Sequence, residues 1–315
     1  MELVLENVTK KYKDKTAVCN ISTELASGQL IGLIGKNGAG KTTLMKMLAT
    51  IIKPTSGQIF FDGENTVRNP NRVRNTIGCL PQEVSVYPNL TAYEYLNYVA
   101  ALKGMKKSEA IHQIRQFLLV FHLEDVKDKK LEGFSGGMKQ RIGIIGTLLN
   151  SPKIIIADEP TTGLDPEERI TVRNMLSELA KERIVILSTH IVSDIEAVAS
   201  RILMFKDGSL IFDDAPHKLI TKADGCVWEY TSDSIQSGAR GISSMVQTKD
   251  GIHVRQVSRH KPIGRAVPVS STLEDACLFA LEGEECSKHV RSLGMLGPVA
   301  TATGGQGCLA GARWD

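Results

Sequence analysis

A glycine-rich segment near the start of the chain has the spacing of a phosphate-binding loop. Residues 35–42 read Gly-Lys-Asn-Gly-Ala-Gly-Lys-Thr, which fits the pattern G-x-x-x-x-G-K-[ST]. The segment follows the apolar run Leu30–Ile34 and precedes the helical run Thr43–Leu48. Glycines let a loop wrap closely round phosphate, so that backbone N–H groups and the following helix N-terminus converge on its oxygens. The spacing therefore predicts a nucleotide-phosphate site.

The residues of this loop have distinct predicted tasks. Lys41 is expected to bridge the β- and γ-phosphates of a nucleoside triphosphate, and Thr42 to offer its hydroxyl to Mg²⁺. The remaining predicted contacts to the nucleotide are Gly35, Asn37, Gly38, Ala39, Gly40 and Thr43.

Two carboxylates follow an apolar run in the middle of the chain. Residues 153–159 read Lys-Ile-Ile-Ile-Ala-Asp-Glu, which predicts a buried strand with acids at its carboxyl end. Buried acids are costly unless they are paired or bound to a metal. We therefore expect Asp158 to hold Mg²⁺, directly or through water. Glu159 is expected to orient an attacking water or to accept a proton from it.

These residues need a sheet to position them, and the apolar pattern predicts one. Short apolar runs alternate with longer segments of helical spacing, which indicates an α/β fold with a largely parallel sheet. The predicted strands are Leu30–Ile34, Ile77–Leu80, Ile154–Ala157, Ile184–Leu187 and Ile202–Phe205. The runs Leu3–Val8 and Gln58–Phe61 predict a smaller antiparallel layer. A hairpin turn at Lys206-Asp207-Gly208 leads into the strand Ser209–Phe212.

The stretch from about residue 88 to residue 150 has helical spacing and no convincing strand, so it predicts a helical insertion. Thr91 followed by Glu94 is typical of a capping box. Two helices are predicted, over residues 88–104 and 108–121, and a third continues through Ile142–Leu149.

The pattern changes again near Asp224, where a small α+β appendage is predicted. Its elements are the strands Cys226–Thr231 and Ile252–Val257 and the helix Thr272–Leu281. The predicted domains are residues 1–223, 224–286 and a flexible tail at 287–315.

The bulk composition excludes several other classes of protein. The chain has 315 residues and a formal charge of +3, which gives no argument for a nucleic-acid partner. The sequence contains no C-x-x-C pair, so it does not indicate a zinc site. No apolar run approaches the roughly 18 residues of a spanning helix, and no secretory signal is expected at the start. Contact with a membrane is therefore expected only through a partner.

A Ser-Gly-Gly turn at the start of a predicted helix adds a second anion-binding helix N-terminus. Residues 134–141 read Phe-Ser-Gly-Gly-Met-Lys-Gln-Arg, which resembles the signature motif of the ATP-binding-cassette (ABC) family, usually Leu-Ser-Gly-Gly-Gln. Phe134 and Met138 depart from the commonest form. The resemblance implies that Ser135, Gly136 and Gly137 act on ATP held by a second cassette.

The other motifs of that family occur in order. Gln82 resembles the Q-loop glutamine, which senses the metal and the attacking water, and residues 163–166 (Gly-Leu-Asp-Pro) resemble the D-loop. His190 resembles the switch histidine that contacts the γ-phosphate. Tyr12 lies where the family places an aromatic ring against adenine. The resemblance covers Glu2–Leu219.

The resemblance implies a P-loop NTPase core that hydrolyses ATP with Mg²⁺, the catalytic residues being Lys41, Gln82, Glu159 and His190. It also implies a head-to-tail pair of ATP-binding subunits and an integral membrane permease, at the cytoplasmic face of the membrane. Two alternatives stay open at this point: an ATPase that regulates a soluble partner, and a degenerate nucleotide-binding scaffold.

Other branches of the family fit the sequence less well. This sequence lacks the long coiled coils of chromosome-structure relatives and the cysteine pairs of zinc-bearing repair relatives. It also lacks the second cassette of translation-associated relatives. The region Thr91–Met105 and the segment Thr272-Leu273-Glu274-Asp275-Ala276 resemble the branch that exports drugs, lipids or peptides. We therefore expect an export-type transporter subunit.

Overall fold

The computed structural model describes residues 1–233 and 240–282, so the predicted tail at 287–315 lies outside the described residues. The strands are β1 Glu2–Tyr12, β2 Lys15–Ala26, β3 Gln29–Gly35, β4 Ser56–Phe61, β5 Glu64–Asn65, β6 Ile77–Leu80, β7 Ile154–Asp158, β8 Ile184–Ser188, β9 Arg201–Lys206, β10 Ser209–Asp214, β11 Val227–Ser232, β12 Ile242–Thr248, β13 Gly251–Val257 and β14 Val267–Pro268.

The α-helices lie between these strands or follow them. They are α1 Lys41–Leu48, α2 Pro70–Arg74, α3 Ala92–Leu102, α4 Lys107–Val120, α5 Gly136–Leu148, α6 Pro166–Ala180, α7 Val192–Glu196, α8 Pro216–Ala223 and α9 Leu273–Glu282.

The main sheet has the strand order β10-β9-β3-β8-β7-β6. Strand β3 pairs in parallel with β8 and β9, and β7 pairs in parallel with β6 and β8. Every residue of β7 and β8 is buried, which explains why their sequences are apolar without alternation. The prediction of an α/β fold with a largely parallel sheet is confirmed.

The antiparallel layer has the order β2-β1-β4-β5. The predicted strands Leu3–Val8 and Gln58–Phe61 lie within β1 and β4. Strand β2 was not predicted, because polar and small residues separate its few buried apolar side chains and leave no continuous run.

The insertion between β6 and β7 contains α3, α4 and α5, as the sequence predicted. These helices share a core that includes Leu96, Ile114 and Ile145. The predicted capping box is present: the N–H of Glu94 donates to Thr91 Oγ1 at 3.2 Å, and Glu94 Oε2 accepts from the Thr91 N–H at 2.8 Å. Hydrogen bonds from the Thr91 backbone N–H and side chain to the Glu94 carboxylate lower the pKa of Glu94.

A partly buried lysine caps the far end of the helix that begins at the Ser-Gly-Gly turn. Lys103 Nζ donates to the carbonyl oxygens of Thr147 at 2.8 Å and Leu149 at 2.9 Å, in the last turn of α5. These are carbonyls that a helix leaves without intrahelical partners. Burial lowers the pKa of Lys103 to about 8.

A second compact unit begins at Asp214, before α8, whereas the sequence analysis put the change after residue 223. The helix α8 packs against α9, which places it in this unit. The sheet of this second unit has the strand order β12-β13-β11-β14. Arg255 on β13 donates to Asp275 at 2.7 Å and to Glu229 at 2.6 Å, so that α9 is tied to the sheet by a charge network.

Candidate nucleotide-binding site

The predicted phosphate loop and the two predicted acids lie at one edge of the main sheet. The carboxyl ends of parallel strands meet at a common edge, and here β3 ends in the loop at residues 35–42, β7 ends at Asp158 and β8 ends at Ser188. Because β8 lies between β3 and β7, the loop and the two carboxylates approach from either side of Ser188. Ligand sites of α/β sheets form at such strand ends.

The phosphate loop is closely packed on its inner side. Gly40 has φ +107°, and a Cβ there would overlap the Ala17 carbonyl oxygen of β2. Ala39 accepts a hydrogen bond from the Gly208 N–H at 3.0 Å. Lys36, Asn37 and Gly38 are exposed, whereas Ala39 and Gly40 are buried. Glycine is therefore required at position 40, where the backbone is left-handed and the space is filled.

Lys41 places its ammonium group against the loop from which it projects. Its Nζ donates to the carbonyl oxygens of Gly35 at 2.6 Å and Lys36 at 3.3 Å. Burial lowers the pKa of Lys41, and the nearby carboxylates of Glu159 and Asp158 oppose that shift. A charged donor thus lies at the mouth of a loop that offers backbone N–H groups to an anion.

Thr42 and Asp158 are joined across the edge of the sheet. Thr42 Oγ1 donates to Asp158 Oδ2 at 3.1 Å, and the Ser188 hydroxyl donates to Asp158 Oδ1. Asp158 is 8 % exposed. Within the described residues no group of three or more His, Cys, Asp or Glu side chains could hold a metal by itself. One carboxylate and one hydroxyl suit Mg²⁺, which takes oxygen ligands and usually binds substrate phosphates as well.

Glu159 and His190 form a pair beside this hydroxyl–carboxylate contact. Glu159 Oε2 and His190 Nδ1 are 2.8 Å apart, and the Thr162 hydroxyl donates to the same oxygen at 3.4 Å. Glu159 is 9 % exposed, whereas the His190 side chain is 66 % exposed. The pair can take up a proton at its buried end while its exposed end faces an incoming ligand.

Gln82 and Tyr12 are exposed at the ends of their strands. Gln82 lies two residues beyond β6, whose last residue Leu80 is paired with Ala157 of β7. It therefore lies at the same edge as Asp158, without a hydrogen bond to it. Tyr12 ends β1, and the Lys10 ammonium lies 5.2 Å from its ring centroid.

The Ser-Gly-Gly turn begins α5, as predicted. Ser135 is the N-cap, and its Oγ accepts from the Met138 N–H at 3.2 Å. Ser135 and Gly136 are exposed. A Cβ at Gly137 would lie 3.1 Å from the Gly163 carbonyl oxygen, so glycine allows the turn to pack closely on residues 163–166. No hydrogen bond joins this turn to residues 35–43 in the part of the chain described.

Three polar residues near this site were not predicted from the sequence. The Ser188 hydroxyl donates to Asp158, and Thr161 donates to Asp194 Oδ2 at 2.8 Å. Thr161 lies two residues after Glu159 and Asp194 lies four residues after His190, but this spacing does not indicate that the two side chains pair.

Known proteins share much of this sequence. The sequence model of a family described as "ABC transporter" matches residues 18–162. The linearmycin resistance ATP-binding protein LnrL of Bacillus subtilis is 31% identical over 296 residues, which is 93% of either chain. The bacitracin transport ATP-binding protein BcrA of Bacillus licheniformis is 39% identical over 208 residues, 65% of this chain and 67% of BcrA.

A solved structure shows the same fold. It is the dimeric structure of an ATP-binding cassette in a post-hydrolysis state bound to ADP and Pi. It has a TM-score of 0.63 and 28% identity, and the match covers 68% of this chain and 98% of that one. Among the helices of residues 1–233 and 240–282, none is long and apolar enough to cross a membrane. By its shared sequence and fold, the chain belongs to the ATP-binding subunits of ABC transporters.

Proposed function

We propose that this chain hydrolyses ATP to ADP and phosphate in the presence of Mg²⁺. The observation that carries the proposal is the 2.8 Å contact between Glu159 and His190, at the sheet edge that also holds Lys41 and Asp158. A buried carboxylate beside a phosphate loop can act on water, which a purely binding module does not require.

The residues of the loop hold the phosphates. Lys41 and the backbone N–H groups of residues 35–43 bind the β- and γ-phosphates, and Tyr12 stacks on the adenine. Thr42 and Asp158 hold Mg²⁺, and Gln82 contributes from the neighbouring loop. When bound, the metal neutralises charge that develops on the phosphate oxygens.

Glu159 and His190 act on the water and on the terminal phosphate. Glu159 accepts a proton as the water oxygen bonds to the γ-phosphorus, and the bond from that phosphorus to the bridging oxygen breaks. His190 contacts the γ-phosphate from the exposed side of the pair. ADP and phosphate are the products, and no covalent intermediate with the protein is needed.

The test is phosphate release by the full chain with ATP and Mg²⁺, compared between the wild type and Glu159→Gln. Gln is nearly isosteric and can hydrogen-bond water, but it cannot take the proton. We expect turnover to fall by about 100-fold or more while ATP binding holds or rises. Glu167→Gln makes the same change of charge at an exposed position of α6 and is the control. Near-normal turnover of Glu159→Gln would remove Glu159 from this role.

We further propose that two copies of an ATP-binding subunit pack head to tail, so that Ser135, Gly136 and Gly137 of one contact the nucleotide of the other. The exposure of the turn supports this arrangement, as does the lack of a hydrogen bond between the turn and the loop at residues 35–42 in the described part of the chain. The solved cassette bound to ADP and Pi is dimeric. A two-fold arrangement closes on itself, and nucleotide in the contact makes dimerisation depend on ATP.

The partner that uses this work is proposed to be a separate integral membrane permease, with export as the direction of transport. The chain would then lie peripherally at the cytoplasmic face of the membrane. The support is that LnrL and BcrA are named for linearmycin resistance and bacitracin transport. Purification of the tagged full chain from detergent-solubilised membranes tests the proposal. Recovery of an integral membrane protein in stoichiometric amount supports it, and recovery with a water-soluble protein alone contradicts it.

A further inference from the structure

A buried carboxylate near the site has no part in the reaction described above. Asp194 is 2 % exposed and lies on α7, four residues after His190. Its Oδ2 accepts from Thr161 Oγ1 at 2.8 Å, and its Oδ1 accepts from Arg173 Nη1 at 3.2 Å. A buried acid is costly unless it is paired and hydrogen-bonded, and both conditions are met here.

The Thr161–Asp194 contact joins the two segments that carry the proposed catalytic pair. Thr161 is 1 % exposed and lies two residues after Glu159, in the segment that leaves β7. Asp194 belongs to the segment that leaves β8. These neighbouring strands are therefore connected beyond their ends, first through Glu159 and His190 and then through Thr161 and Asp194.

The backbone at Glu159 needs such support. Its φ is +52°, in the left-handed region that non-glycine residues rarely adopt. A strained residue keeps its conformation only where the surrounding structure determines it. The Glu159 N–H donates to the Ser188 carbonyl oxygen at 3.0 Å on one side of the strained residue, and Thr161 is fixed on the other.

The same segment is also fixed by the helix that begins at the Ser-Gly-Gly turn. Gln140 Nε2 on α5 donates to the Pro160 carbonyl oxygen at 3.3 Å. Residues 160 and 161 are therefore held from two directions, by α5 through Pro160 and by α7 through Thr161. The position of Glu159 follows from both anchors.

We propose that Thr161 and Asp194 are positioning residues for ATP hydrolysis, which hold Glu159 within hydrogen-bond distance of His190. Arg173 balances the charge of Asp194 and ties it to α6. Neither Thr161 nor Asp194 touches substrate; both act through the segment that carries Glu159. This inference rests on the proposed hydrolysis by Glu159.

The test compares Thr161→Val, which keeps the shape and removes the hydroxyl, with Thr161→Ser, which keeps the hydroxyl. We expect Thr161→Val to lower kcat about tenfold or more, because a displacement of about 1 Å can cost on the order of 100-fold. KM and the affinity for AMP-PNP with Mg²⁺ should stay within about twofold, since the loop at residues 35–42 is untouched. Thr161→Ser should recover most of the turnover, and Asp194→Asn should reproduce the loss.

The control is Thr147→Val. Thr147 is likewise buried, and its hydroxyl donates to the Gly143 carbonyl oxygen within α5, away from the catalytic pair. In a Glu159→Gln background, Thr161→Val should add no further loss, because both changes act through the same carboxylate.

The outcomes separate the two proposals. Absence of ATP hydrolysis by the wild-type chain would overturn the proposed function and this inference with it. Hydrolysis by the wild type with unchanged kcat in Thr161→Val would overturn only the inference. The inference would also be overturned if Thr161→Val and Thr147→Val lost turnover equally. It would be overturned too if kcat, AMP-PNP binding and thermal stability all fell together in Thr161→Val, because the role of Thr161 would then be structural alone.

Discussion

The chain has two glycine-rich turns that begin helices, and their surroundings differ sharply. The loop at residues 35–42 is enclosed by other segments of its own chain: Ala17 on one side, Gly208 on another and Asp158 beyond Thr42. The turn at residues 135–137 has an ordinary serine cap, an exposed outer surface and packing only on its inner side.

The comparison shows what each turn can do alone. The loop at residues 35–42 holds the Lys41 ammonium against its own carbonyls and joins the Thr42 hydroxyl to the Asp158 carboxylate, all within one chain. We propose that these groups form the phosphate and metal site without help from a second chain. The turn at residues 135–137 offers backbone N–H groups and a hydroxyl, and the Glu168 carboxylate that lies beside Gly137 is already paired with Arg141. Its own chain does not complete it as a site, which is why we expect the rest to come from a second subunit.

The largest difference between the turns should appear when Lys41 is replaced. Lys41→Ala removes the ammonium group that offsets phosphate charge, and we expect ATP hydrolysis to fall by about 1,000-fold. Lys46→Ala, at an exposed position further along α1, is the matched control. Phosphate release measured at saturating ATP tests this prediction. Turnover at the wild-type rate in Lys41→Ala would contradict the role of Lys41 in the site.

A glycine in each turn allows a direct comparison of packing. Gly40→Ala puts a Cβ onto the Ala17 carbonyl at a positive φ, and we expect a loss of about 3 kcal/mol in stability. Gly136→Ala meets open space and should leave stability within about 0.5 kcal/mol. Urea unfolding of both variants measures the difference. Equal losses would show that the two turns are packed alike.

The exposed turn should matter to assembly more than to the folded subunit. In a Glu159→Gln background with ATP and Mg²⁺, we expect a dimer by light scattering. Ser135→Arg should weaken it about 100-fold, since a bulky charge would enter the centre of the contact. Ser108→Arg adds the same charge at an exposed position of α4 and should leave the dimer intact. A dimer unaffected by Ser135→Arg would have formed through another surface.

The smallest effect concerns the far end of α5. Because burial lowers the pKa of Lys103 to about 8, the unfolded chain binds more protons than the folded one between about pH 8 and pH 10.4. The contribution of Lys103 to the free energy of unfolding therefore rises with pH across that window, by at most about 1.4 kcal/mol per pH unit. The difference in unfolding free energy between the wild type and Lys103→Met should show this rise, and a difference independent of pH would contradict it.

Much of the fold follows from the apolar runs, for a physical reason. The strands β6, β7 and β8 are buried on both faces or nearly so, and only near-continuous apolar sequence can occupy such positions. Strand β12 was not predicted from the sequence. Its side chains are mostly exposed, so its sequence needs no apolar alternation. The same holds for β2, whose length of 12 residues contains few buried apolar positions.

The candidate site shows the same division. Local spacing identifies the glycines and the lysine of the loop at residues 35–42, and the two acids at the end of β7. Their predicted roles in binding phosphate and metal depend on residues that are neighbours in sequence. The Thr161–Asp194 and Lys103–Leu149 contacts join residues 33 and 46 positions apart. Sequence spacing carries no sign of such contacts, since the fold brings the partners together.

The order of strands in the main sheet also sets when the site can form during synthesis. Strand β3, which leads into the phosphate loop, is flanked by β8 and β9, and both are made more than 140 residues later. A nascent chain that ends before Ile184 contains the whole loop sequence but neither neighbour of the strand that supports it. We therefore expect nucleotide binding to begin only after about Lys206 has left the ribosome, and the apolar β3 to be prone to aggregation until then.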